Sequence, residues 1–70
     1  MAYYKLSFLR KTKHGADWEE IYIQVDNGKP QIRIHYSISE GERPLNSKIE
    51  ALTEAEFDKV WDRSRRDFGH

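Results

Sequence analysis

The 70-residue sequence predicts a small α+β fold: a two-layer sandwich of three or four antiparallel strands in meander order, with one C-terminal helix packed on one sheet face. Three observations predict it. Asn27-Gly28 separates two apolar stretches, and both residues tolerate the positive φ that a type I′ hairpin turn demands. The flanking segments alternate with period two. Phe57, Val60, Trp61, Ser64 and Phe68 recur at the spacing of one helical stripe.

In chain order, Tyr3 to Thr12 reads as a first strand, with Tyr4, Leu6 and Phe8 on one face and Lys5, Ser7, Leu9 and Lys11 on the other; Leu9 stands among polar neighbours. Residues 12–17 form a polar connection containing Gly15, so the chain turns back into a second strand over 18–26. The third strand covers 29–38. A two-residue turn pairs Asp26 with Lys29, Val25 with Pro30, Gln24 with Gln31 and Ile23 with Ile32. Continued regularly, it pairs Tyr22 with Arg33, Ile21 with Ile34 and Glu20 with His35. That register puts Ile21, Ile23, Val25, Ile32, Ile34, Tyr36 and Ile38 on one face, the predicted core. Trp18, Glu20, Tyr22, Gln24, Gln31, Arg33, His35 and Ser37 fall on the other, the predicted open face. Pro30 has no N–H to donate, which places its strand at an edge and the 18–26 strand in the middle.

Residues 40–47 carry both Gly41 and Pro44 and read as a loop crossing the sheet. Lys48 to Leu52 fits either a short fourth strand or an extended lead-in to the helix. The helix spans about 53–68. Thr53 and Glu56 have capping-box spacing, and Leu52 and Phe57 form a hydrophobic staple. Acids near the start and arginines near the end suit the macrodipole, and Gly69 ends it. The helix is expected on the Ile-rich face, with Phe57 and Trp61 meeting Ile21, Ile23, Ile32 and Ile34.

One domain, residues 1–70, is all this length allows, and such a chain buries only about 60% of its unfolded surface. No cysteine is present, so disulfides and thiolate chemistry are excluded, and a cytoplasmic, reducing setting is the expectation. No signal peptide is read at the N-terminus, and no stretch approaches the about 18 apolar residues of a membrane span, so no membrane partner is expected. Lys plus Arg (12) equals Asp plus Glu (12). The charge is nevertheless uneven: Lys5, Arg10, Lys11 and Lys13 stand in the first strand and its turn, and Asp17, Glu19, Glu20 and Asp26 in the next. Cross-strand pairing explains this arrangement, and a basic surface for phosphates is the sharper alternative.

His14, His35 and His70 have no metal-ligand spacing, so no metal and no cofactor are expected. No serine stands in a nucleophile motif and no glycine-rich phosphate loop exists, so no catalytic residue is assigned and no enzyme is expected. Asp58 and Asp62 share a helix face as ordinary exposed acids. His35 opposite Glu20 reads as an exposed cross-strand pair, and Tyr22 beside Arg33 as a cation–π pair. Trp18, Tyr22, Arg33 and His35 together offer aromatic and cationic groups on one flat surface, which are hot-spot materials. The expected function is therefore a small non-enzymatic protein-binding or regulatory module, of adaptor or inhibitor type, using those four residues on an open sheet face. An exposed edge offers a second site by strand addition, and the oligomeric expectation is a monomer or an edge-strand homodimer.

The alternative is a nucleic-acid-binding domain using the same face with Lys5, Arg10, Lys11 and Lys13 as phosphate contacts. The plan of three strands and a C-terminal helix resembles the DNA-binding domains of one class of plant transcription factors and of some phage and transposon integrases. That resemblance, in architecture alone, implies a sheet that enters the major groove.

Overall fold

In the computed structural model, which describes residues 1–13, 15–38 and 46–68, four antiparallel strands and one helix follow in the order β1 (Ala2–Thr12), β2 (Gly15–Asp26), β3 (Lys29–Ile38), β4 (Lys48–Leu52) and α1 (Glu54–Asp67). The sheet order is β3-β2-β1-β4. The first three strands form the expected meander. Lys48–Leu52 resolves as a fourth strand that pairs with β1, where Leu6 opposes Ile49 and Tyr3 opposes Leu52. The predicted residues His14, 40–45, Gly69 and His70 lie outside the described set.

Asn27 (φ 52°) and Gly28 (φ 76°) occupy the left-handed conformations that a type I′ turn requires. From that turn the ladder runs as predicted through Ile23 opposite Ile32. It then departs. A β-bulge places Tyr22 opposite Ile34, so Arg33 is an extra residue, and beyond it Ile21 faces His35, Glu20 faces Tyr36 and Trp18 faces Ile38. The regular pairs Tyr22–Arg33, Ile21–Ile34 and Glu20–His35 are thereby corrected. The extra residue moves Ile34 and Tyr36 to the side of Tyr22, and His35 to the side of Ile21 and Ile23.

The helix covers the Tyr22 side, not the Ile21/Ile23 side that was expected. Its stripe is the predicted one: Phe57 joins Tyr22 and Ile34 in the buried cluster, with Tyr3, Tyr36, Leu52, Val60 and Trp61 packed around it. Phe57 stacks on Tyr3 at 4.5 Å between ring centroids, Phe68 stacks on Tyr36 at 5.5 Å, and Tyr22 meets Tyr36 edge-on. Once the bulge has carried Ile34 and Tyr36 across, this side combines an aliphatic anchor with three tyrosines. An aromatic helix stripe buries more area and gains ring-pair geometry there than against aliphatic side chains alone. Phe57 and Trp61 therefore do not meet Ile21, Ile23 and Ile32.

The helix start is built as predicted. The Thr53 hydroxyl accepts from the Glu56 N–H at 3.1 Å, while the Glu56 carboxylate accepts from the Thr53 N–H at 3.0 Å. The Thr53 backbone N–H, and after it the Thr53 side chain, hold the Glu56 carboxyl below the usual range. At the other end the Phe68 N–H donates to the Ser64 carbonyl at 2.9 Å.

Candidate protein-docking face

With the helix on one side, no element among the described residues covers the opposite side of the sheet. Alternation and pairing place Tyr4, Leu6 and Phe8 of β1 there, beside Ile21, Ile23 and Val25 of β2, Pro30 and Ile32 of β3, and Ile49 of β4. Ile32 and Ile49 are 66% and 69% exposed, high values for large aliphatic residues. Tyr4, Leu6, Ile23, Val25, Pro30 and Ile49 line a shallow groove of about 260 Å³. Small-molecule sites usually enclose about 300–1,000 Å³ and are concave, so this groove suits side chains from a protein surface better than a small ligand.

The same face is charged towards the end of the β1–β2 pair where Thr12 opposes Gly15. The Glu19 carboxylate, almost fully buried, sits 3.0 Å from His35 Nε2 and 3.4 Å from an Arg10 guanidinium nitrogen. Burial alone would raise the Glu19 carboxyl, but the hydrogen bonds from His35 and Arg10 outweigh it and hold the group below the usual carboxylate range. On the helix side, Lys5 pairs with Glu20 at 2.6 Å. Burial there acts to lower the Lys5 ammonium, yet the Glu20 bond and nearby negative charge leave it raised. Opposite charges on β1 and β2 thus pair across strands, as their distribution predicts.

The four predicted partner-binding residues do not share a surface. Tyr22 is in the core at 3% exposure, with its hydroxyl raised by burial, and Trp18 is also buried. Arg33 is exposed on β3 with its guanidinium 4.9 Å from the Trp61 ring, so its cation–π partner is Trp61 and not Tyr22. His35 alone stands on the uncovered face, and its partner is Glu19, not Glu20. The four predicted phosphate contacts are also divided: Lys5 and Lys11 project by alternation to one side and Arg10 to the other, and Lys13 lies in the turn. Lys5 and Arg10 already engage Glu20 and Glu19.

The sequence does not point to Tyr4, Leu6, Pro30, Ile32 and Ile49 as members of an accessible face, because the Ile-rich side reads as the core. Alternation carries no signal against that reading, because without the bulge Tyr22 and Tyr36 fall on opposite sides of the sheet. Among the described residues no group of three His, Asp or Glu side chains converges as a metal site, and no helix is long and apolar enough to cross a membrane. Comparison of the chain with protein-family models, with curated proteins and with solved structures gives no match.

Proposed function

We propose that this chain is a small non-enzymatic protein-binding or regulatory module, of adaptor or inhibitor type, that docks through the uncovered sheet face. One observation carries the reading. Among the described residues no layer covers the sheet side that holds the half-buried Tyr4, Leu6, Ile23 and Val25 and the exposed Ile32 and Ile49, and contiguous accessible apolar surface of that kind marks interaction sites. Apolar side chains dominate this face, and its charged groups are paired with one another, which favours docking over chemistry on a substrate. The lack of cysteine suits a cytoplasmic, reducing setting. A protein partner is preferred to nucleic acid because the basic residues are split between two sides and two of them are paired with acids.

The test is affinity capture from cell lysate followed by mass spectrometry, run side by side with the wild-type chain and with Ile32→Asp. Both should give the same far-UV spectrum, because Ile32 is mostly exposed. Loss of the captured protein in the variant is the expected result. Capture equal to wild type would move the site off this face.

A further inference from the structure

We propose that the uncovered face is closed by the same face of a second copy, giving a symmetric dimer of two stacked sheets with the helices outside. This rests on the docking reading above and names the partner.

Area is the first argument. A folded monomer of 8.4 kDa should expose about 4,600 Å² by the usual size scaling. The chain exposes 5550 Å². The excess of roughly 900 Å² belongs to the chain as a whole, and the mostly exposed Ile32 and Ile49 of the uncovered face are part of it, where a standard stable interface takes about 800 Å² from each partner. Two such faces can stack about 10 Å apart with strands aligned within about 30°.

The edges supply the second argument. β3 carries Pro30 and the Arg33 bulge, and β4 is five residues long. Prolines, bulges and short strands are devices that block edge pairing, so lateral association is disfavoured while the flat side remains unprotected. Charge is the third. The net charge is zero, so copies do not repel one another, and Arg10, Glu19 and His35 put both signs at the margin of the apolar patch. A two-fold interface brings identical patches together, and an apolar centre with mixed charges at its margin is compatible with itself.

The experiment is sedimentation equilibrium of the purified full chain across a wide concentration range. The mass should move from 8.4 kDa towards twice that value. Combining Ile32→Asp with Ile49→Asp should raise the dimer Kd by about 100-fold or more, since both side chains would be desolvated in the interface. Ile49→Lys alone, on β4, serves as a second variant, with far-UV spectra confirming that each variant folds. A monomer at every concentration overturns the dimer, as does a dimer that survives these substitutions. If the wild type stays monomeric yet captures a lysate protein in a manner that depends on Ile32, self-association falls and the docking reading stands.

Discussion

Glu19 shows two opposed effects acting on one carboxylate. Its burial favours the neutral acid, and the His35 and Arg10 contacts favour the anion and prevail. A carboxyl depressed in the folded state adds stability that is fully present above its ordinary value of 4.5 and is lost as pH falls through the folded value. Acid titration followed by the Glu19 side-chain carbon resonance should therefore give a midpoint below 4.5. In His35→Ala the midpoint should rise, because burial then opposes a smaller attraction. An unchanged midpoint would mean that the pair is not formed in solution. Phe57 gives the complementary case without charge. It is buried, stacked on Tyr3 and adjacent to Trp61, so Phe57→Ala should cost about 3 kcal/mol or more in urea unfolding.

Among the elements, the helix was the most legible because its signals are local. Thr53, Glu56, Leu52 and the stripe from Phe57 to Phe68 lie within a few turns of one another; the capping box forms as predicted and the stripe faces the sheet, though on the side opposite to the expected one. Thr53→Ala should cost about 1 kcal/mol, measured by thermal or urea unfolding. The hairpin was legible as far as Ile23–Ile32. Beyond it, Ile32, Ile34, Tyr36 and Ile38 keep an unbroken alternation in the sequence, while the ladder inserts Arg33 between the first two. A bulge leaves no mark when the apolar spacing continues through it. For that reason alternation alone assigns the open face to the wrong side and places Trp18 and Tyr22 on the surface. The two isoleucines flanking the bulge give the cleanest check. Ile34→Asp buries an unpaired charge and should unfold the chain, whereas Ile32→Asp should cost about 1 kcal/mol or less. Equal effects would contradict the observed register.

At the scale of the whole molecule, the core is thin. Among the described residues Trp18, Tyr22, Ile34 and Phe57 are the buried hydrophobic ones, and no side chain there falls below 2% exposure. A chain of 70 residues with so small a core has a narrow stability margin, and covering the second sheet face would widen it. Association linked to folding makes the thermal midpoint depend on concentration. The midpoint should rise with protein concentration for the wild type and stay flat for the Ile32→Asp, Ile49→Asp double variant, read by circular dichroism or calorimetry.

The bulge also means that β3 is one residue longer than its ladder needs. Removing Arg33 would leave Ile32 opposite Ile23 and Ile34 opposite Tyr22, converting an irregular strand into a regular one without moving any other side chain to a new side. What is lost is the contact between Arg33 and Trp61, worth about 0.5 to 1 kcal/mol at an exposed site. Strands ordinarily tolerate neither gain nor loss of a single residue, because either inverts everything downstream. This one holds a spare position, so its sequence can shorten by one codon at Arg33 while the aromatic core and the bare aliphatic side both keep their membership.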